Sequence, residues 1–474
     1  MRLERVFLER CQAHADRPFV IEGAEAHSYG EVLGRALGVA VRLREVTEPG
    51  SRVALLLPTG EPFAAALFGA LLAGCTVMPV DPRLAAPEIS FLLAHGEISA
   101  LVSDLPVPGA SCPVVSARAA GSTERWSGPV SGASSAGAGS AAVMLTTSGS
   151  TSSPRVVLLS HENLLVDARA WNARYGIARD DGIATPLAAC HSFGLTACVL
   201  SALDAGARLI VCEDPLPASV ASAIAEHRAT VLVAASSFHP WLTRSLGVSP
   251  SSLSSLRLAL GGACPLSPSA AEAFQEKFGL PVLETYGLTE ASPVVTATPP
   301  GRVRRGAVGT ALDGIELRVI EGEVQVRGAT VMLGYWRNAG ATAAALPGDG
   351  WLRTGDLASI DDDGYLTILG RRKDLILRAG EKIYPEEIEE VLAEHPGVID
   401  SAVIGRRDAA AGEIPVAFVS GEGLDAAGLI AFCRTRLAAF KVPRRIEIVQ
   451  AIPRNANGKV LRRVLRERGE GGLP

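Results

Sequence analysis

The chain has 474 residues, 48% of them hydrophobic and 20% charged, and a formal net charge of -5. At roughly 150 residues per compact unit this excludes a single small binding module, and the supply of apolar side chain excludes general disorder. The negative balance also lacks the clustered cations with which a nucleic-acid binder neutralises phosphates, so no nucleic-acid partner is expected.

From the N-terminus, the opening MRLERVFLERC lacks a signal peptide's apolar stretch, and the eight cysteines form no C-x-x-C pair, which predicts reduced thiols in a cytoplasmic protein. Residues 52–58 (RVALLLP) read as a buried strand. The longest apolar run, residues 63–80, is interrupted by Gly69, Gly74, Thr76 and Pro79. It predicts a buried helix leading into a strand, and no membrane span. Residues 128–142 are rich in Gly, Ser and Ala and predict a surface excursion. Next comes TTSGSTSSPR, residues 146–155, with strand-like AVML before it and VVLLSHENLL after it. Small hydroxyl residues around a glycine offer N–H and O–H donors to an anion such as a triphosphate, although the G-x-x-x-x-G-K-S/T pattern is absent. An ordinary Ser/Thr-rich surface loop has the same composition.

His191 lies in ACHSFGLT, where a lone histidine beside apolar neighbours is usually a satisfied core residue. Residues 208–214, 230–235 and 256–262 read as further buried strands with helical pattern between them. This alternation predicts an α/β architecture with largely parallel sheets. Residues 284–290 (ETYGLTE) set a ring, a glycine turn, a hydroxyl and a carboxylate close together; Tyr286 could stack on a purine and Glu290 could hold Mg²⁺. In TGDL, Asp356 could accept hydrogen bonds from ribose hydroxyls. After RRKD (residues 371–374) a compact α+β pattern follows: strand 375–377, a helix opened by Tyr384-Pro385, strands 398–404 and 415–419, helix 424–437 and strand 445–449. The expected organisation is a large N-terminal domain of parallel-type sheets with flanking helices (1–370), a hinge (371–374) and a small, mobile α+β C-terminal domain (375–474). Only five of the 45 basic residues are lysines, and one of them, Lys459, sits in an Asn-Gly turn, where a plain exposed lysine would be ordinary. Arg462, Arg463, Arg466 and Arg468 lie on an amphipathic helical pattern, which reads as a solvated face or as a docking patch for phosphates or an acidic carrier protein.

Taken together and in this order, these segments resemble the adenylate-forming superfamily of acyl-CoA synthetases, nonribosomal-peptide adenylation domains and firefly-type luciferases, along essentially the whole chain. GGACPL, YGLTEASPVV and GEKIYPEEIEEVL look most like acyl-CoA and acyl-carrier-protein synthetases. The resemblance implies a two-step ligase. A carboxylate attacks the α-phosphate of MgATP to give an acyl-adenylate, and a pantetheine thiol of CoA, or phosphopantetheine on an acyl carrier protein, then displaces AMP. A small-molecule carboxylic acid would be the substrate, with ATP and Mg²⁺ as cofactors. Transfer to a carrier protein or an amine is the alternative, and a non-catalytic nucleotide- or acyl-binding member is a further one.

The same resemblance implies the roles of individual residues. Thr147, Ser148, Gly149, Ser150, Thr151 and Arg155 would hold phosphates, with Ser152, Arg155 and Val156 departing from the usual glycine, lysine and glycine. Arginine keeps the charge as a planar fork and the lost glycines stiffen the loop, which implies weaker ATP binding or turnover. Gly262, Ala263 and Tyr286 would form the adenine site, Thr289 a phosphate contact, Glu290 the metal ligand, and Asp356 with Arg371 the ribose contacts. Lys459 would be the catalytic lysine, Lys373 the hinge residue and Gly380 part of the pantetheine path. His191 would border the carboxylate, and Phe193, Leu195, Ser237, Phe238, Gly261, Gly287 and Ala291 would form the acyl pocket. No aspartate occurs in residues 190–196, which disfavours an α-amino acid.

Overall fold

The computed structural model describes residues 1–105, 107, 110, 112–118, 140–147, 155–378, 381–408, 411–454 and 460–468. Among these residues the chain forms four sheets. The first has nine strands in the order Thr310–Ala311, Val294–Ala297, Val282–Gly287, Leu258–Gly262, Val231–Ala235, Gly182–Thr185, Arg208–Val211, Pro18–Glu22 and Glu25–Ser28. Its six central strands are parallel and its margins antiparallel. The second, of seven strands, is parallel from Ala141–Thr147 through Thr76–Pro79, Arg52–Leu55 and Ala100–Val102 to Val114–Val115, while Arg155–Ser160 folds back antiparallel on Ala141–Thr147.

The expected strand cores at 52–58, 208–214, 230–235 and 256–262 all form, each trimmed at its ends. The 63–80 run folds as the helix Glu61–Leu72 followed by the strand Thr76–Pro79, and every residue of that helix is buried. A helix apolar on all sides has no face to give to water, so it packs between layers and not on the surface. Its side chains share one core with Val53 and Val77 of one sheet and Val20 and Leu209 of the other. No helix among the described residues is long and apolar enough to cross a membrane.

The expectation of largely parallel sheets is too simple. The strands Ile315–Ile320, Glu323–Gly328, Leu352–Ile360 and Leu366–Arg371 make a separate antiparallel sheet. Its strands are joined by tight glycine turns such as Gly322 and Gly364, both with positive φ, and only one face packs on the core, so it has no long apolar run to read. The last sheet pairs Glu381–Ile383, Ile376–Arg378, Gly412–Gly421 and Val398–Asp408, with Arg445–Ile448 parallel to Gly412–Gly421. The helices Pro385–Ala393 and Ala426–Arg434 cover it over a core of its own. The strand Glu381–Ile383 was absent from the sequence reading, and Val398–Asp408 runs four residues further than expected. The Gly/Ser/Ala-rich stretch lies outside the described residues up to 139.

The arginine-rich C-terminal helix, Arg462–Arg468, corrects another expectation. Leu465 is fully buried, Arg462 bonds Glu389 at 2.7 Å, and Arg466 bonds Asp374 at 2.7 Å. Two of the four arginines are therefore committed inside the fold and are not part of a free basic stripe. All eight cysteines carry free thiols.

Candidate active site

Parallel α/β sheets bind ligands beyond the carboxyl ends of their strands, where loops diverge and helix N-termini point outward. A cavity of about 660 Å³ lies at this place. Its wall takes Leu187, Ala188 and His191 to Gly194 after the strand Gly182–Thr185, Ala263 after Leu258–Gly262, and Gly287 to Glu290 after Val282–Gly287. Thr147 and Arg155 enter from the second sheet, Arg353 to Gly355 from the antiparallel sheet, and Arg371, Arg372 and Lys373 from the segment that leads to the C-terminal sheet.

The strands on either side of the hydroxyl segment pair antiparallel: Thr147 stands opposite Arg155 in register, and Thr147 Oγ1 donates to the Arg155 carbonyl at 3.4 Å. Ser148, Gly149, Ser150, Thr151 and Ser152 lie outside the described residues, as do Gly380 and Lys459. Val156, at an expected glycine position, is a buried strand residue. The Arg155 guanidinium lies 5.3 Å from the ring centre of Tyr335, whose hydroxyl donates to Glu290 Oε1 at 2.8 Å. The planar cation thus rests on an aromatic face, a contact worth about 0.5–1 kcal/mol and one that a lysine would make less well. Glu290 is itself anchored, because its carbonyl accepts from Met332 N–H at 2.9 Å. Tyr335 was not singled out in the sequence. The signal was the GYW run, which reads as core until Gly334–Tyr335 is seen to pair with Arg155–Ser160.

Behind Gly355 and Arg371 of the lining, Asp356, which does not itself line the cavity, is 3% exposed and accepts from the Tyr286 hydroxyl at 2.7 Å and from Arg371 Nε at 3.0 Å; Tyr286 and Gly262 do not line the cavity either. Burial opposes the Arg371 charge, but Asp356 and Tyr286 beside it raise its pKa overall. Lys373 moves the other way: burial, then the neighbouring Arg371 charge, lower its ammonium below the usual lysine value. Thr289 Oγ1 stands 3.2 Å from Ser192 Oγ. Two glycines are required by close approach. A Cβ on Gly262 would lie 2.6 Å from Thr285 Oγ1 and 3.1 Å from the Phe193 ring, and one on Gly287 would collide with the Pro293 carbonyl.

Of the expected acyl-pocket residues, Phe193 and Gly287 line the cavity. Leu195 and Ala291 are fully buried in the main core, Phe238 belongs to a second core cluster, and Gly261 is buried beside Ser236 and His239. Ser237 is held through its N–H to Cys264 Sγ at 3.3 Å. His191 lines the cavity, and folding brings Asp81 to it from a distant loop, with His191 Nε2 to Asp81 Oδ2 at 3.6 Å. The local sequence around His191 contains no aspartate, but its surroundings do. Arg83 already bonds both oxygens of that carboxylate, at 2.9 and 2.7 Å, which leaves no bare anion for an α-ammonium.

Glu284 begins the segment that carries Tyr286 and Glu290 and is half-buried; its desolvation, with the Glu390 charge of the C-terminal domain adding, pushes its pKa up to about 7. Because the folded value lies above the ordinary carboxylate value, the neutral form is favoured by the fold. Stability tied to this group is full at low pH and falls as pH rises through about 7. Glu284→Gln should therefore stabilise the protein by about 1–2 kcal/mol at pH 8 and by much less near pH 4, as read by denaturant unfolding at both pH values. Equal effects at the two pH values would refute the assignment.

Residues 7–336 match the family described as AMP-binding enzyme, and residues 387–459 match the AMP-binding enzyme C-terminal domain. A methyl-dioxo-octahydro-indenyl-propanoyl:CoA ligase of Mycobacterium tuberculosis is 36% identical, over 89% of this chain and 90% of its own length. ATP-bound MatB from Rhodopseudomonas palustris superposes with a TM-score of 0.90 at 29% identity, covering 99% of each chain. O-succinylbenzoate coenzyme A synthetase from Bacillus subtilis, in complex with ATP and magnesium ion, superposes with a TM-score of 0.86 at 26% identity, over 97% of this chain and 99% of that one.

Proposed function

Since the chain belongs to the AMP-binding enzyme family, we propose that it is an AMP-forming acid–thiol ligase, which converts a carboxylic acid to its acyl-adenylate with MgATP and passes the acyl group to the thiol of CoA. The observation that carries this reading is one cavity lined at once by Thr147, Arg155, Thr289, Glu290, Ala263, Arg371 and His191, from three different sheets and their loops. No single sheet supplies them. A carboxylate and a phosphate repel each other, so the chemical need is for cations and donors held in place before the two anions meet.

Arg155 and Thr147 supply a cation and a hydroxyl donor where the polyphosphate would lie, and Thr289 adds a second hydroxyl. Asp356 is read as the acceptor of the ribose hydroxyls because its partner Arg371 lines the cavity; both its oxygens accept from Tyr286 and Arg371 here, so this role asks it to exchange or share those bonds. Glu290 suits a hard divalent cation: it presents carboxylate oxygen to the cavity beside a hydroxyl, with Tyr335 fixing its orientation. Mg²⁺ bound there would neutralise phosphate charge. His191 borders the position of the acid, and the absence of an unpaired carboxylate beside it favours an acid without an α-ammonium group.

Residues 371–374 are read as the hinge because their contacts divide. Arg371 and Arg372 bond Asp356 and Glu323 of the large domain, whereas Asp374 bonds Arg466 of the small one. Lys373 stands between these anchors, where a change of φ/ψ reorients one set against the other. Lys459 is read as the residue that this rotation carries to and from the cavity.

ATP–pyrophosphate exchange over a panel of aliphatic and aromatic acids tests the first half-reaction, and AMP release with CoA, an acyl carrier protein or an amine, each added alone, tests the second. At least one acid should support exchange, and CoA should accelerate AMP release most. Acceleration by the carrier protein or the amine alone would transfer the assignment to a biosynthetic loading ligase. Normal ATP binding without exchange on any acid would instead mark a nucleotide-binding member without turnover.

A further inference from the structure

Behind the cavity wall, where only His191 reaches the cavity itself, three donors of different kinds converge: the Asp81 carboxylate, the Cys190 thiol and the His191 imidazole, with their ligand atoms all within 4.8 Å of one another. His191 Nε2 is buried and has no hydrogen-bond partner. Its nearest anion, Asp81 Oδ2, is 3.6 Å away, beyond hydrogen-bond reach. Yet that spacing is close to the edge of a coordination tetrahedron with metal–ligand bonds of about 2.0–2.2 Å, which is about 3.3–3.6 Å long. A histidine, a cysteine and a carboxylate are also the donor types that Zn²⁺ selects.

The three side chains are held before any ion arrives. Arg83 clamps Asp81 through its backbone N–H at 3.0 Å and its guanidinium at 2.9 and 2.7 Å. Ala189 N–H donates to Thr59 Oγ1 at 2.7 Å, and His191 N–H to the Ala188 carbonyl at 3.1 Å, fixing the loop that carries Cys190 and His191. Asp81 and Cys190 are buried while His191 faces the cavity, so an ion would have an entry path and one open coordination position. We propose that Asp81, Cys190 and His191 form a site for a thiophilic divalent cation of the Zn²⁺ type, and that its occupation arrests the ligase by withdrawing His191 from the acid. The second half of this statement rests on the placement of His191 beside the acid, and the first half does not.

On binding, the Cys190 S–H bond breaks, its proton passes to the buffer and a sulfur lone pair forms the metal bond; no electrons are transferred. The charges of the ion, Arg83, the thiolate and Asp81 sum to one positive. The carboxylate of the free acid in the open position would neutralise that charge and hold the acid away from ATP.

Co²⁺ is the probe of choice, because a Co²⁺–thiolate bond gives a near-ultraviolet charge-transfer band that hydroxyl, imidazole and carboxylate ligands do not. The whole chain, stripped with chelator, should bind one Co²⁺ with that band, and Zn²⁺ should displace it. Cys190→Ser should abolish the band and weaken Zn²⁺ binding by about 100-fold, and Asp81→Asn should weaken it by about 10- to 100-fold. Absence of the band, or a band unchanged in Cys190→Ser, overturns the site. In the second arm, Zn²⁺ should suppress ATP–pyrophosphate exchange in the parent and spare Cys190→Ser, whose metal-free exchange reports that the variant is folded. A band lost in Cys190→Ser together with exchange indifferent to Zn²⁺ in the parent would uphold the site and overturn its effect on the reaction.

Discussion

A Lys459→Ala chain is expected to form acyl-AMP about 10²- to 10³-fold more slowly than the parent, with its thermal unfolding midpoint unchanged. The physical ground is the charge that builds on phosphorus as two anions meet, which an ammonium placed in advance stabilises without reorganisation. Residues 455–459 lie outside the described residues, and the chain on either side of them is held in the small domain. Arg454 and Val460 face each other in an antiparallel bridge, and Leu461 N–H donates to the Pro453 carbonyl at 2.8 Å. Arg454 is bidentate on Asp400, at 2.9 and 2.7 Å. Both ends of the 455–459 segment are therefore fixed in the small domain. Thioester formation from acyl-AMP supplied ready-made should change by no more than a few-fold, which separates a lost catalytic group from a damaged fold. Acyl-AMP formation at the parental rate would sink the role given to Lys459.

The second large effect is expected at Asp356. Asp356→Ala removes the acceptor of the Tyr286 hydroxyl and the partner of Arg371 in one step. Stranding a fully buried cation costs about 3–5 kcal/mol, but 35% of the Arg371 side chain stays open to water, so a loss of about 2–3 kcal/mol in unfolding free energy is expected. ATP affinity should fall by about 100-fold, because two hydrogen bonds from ribose hydroxyls to a charged acceptor are worth about 3 kcal/mol together. Adding Arg371→Ala should restore part of the stability, since the stranded charge is then gone, and none of the affinity. Restored affinity in the double variant, measured by ATP titration, would refute the assignment of Asp356 to the ribose.

The antiparallel sheet between residues 315 and 371 marks where reading by period reached its end. Buried parallel strands announce themselves because both faces need apolar residues, and the four strand cores read from the sequence all form. Strands with one wet face, such as Leu366–Arg371, carry no such run. The site divides in the same way. Thr147, Arg155, Ala263, Thr289, Glu290 and Arg371, which the family resemblance assigns to the nucleotide, line one cavity, and so does Lys373, which it assigns to the hinge. Tyr335 and Asp81 act on residues more than forty positions away, at Glu290 and His191, and no local spacing encodes such a contact.

By itself the amino-acid sequence determined the α/β class, the family, and which short segments carry hydroxyls, carboxylates and cations, because these are local properties of composition and order. Only the tertiary structure decided that Tyr335 orients Glu290, that Arg83 neutralises Asp81 beside His191, and that two of the four C-terminal arginines are spent inside the fold. Pair interactions between charged and polar groups depend on distance and burial, and both are set when sheets far apart in sequence pack onto a common core.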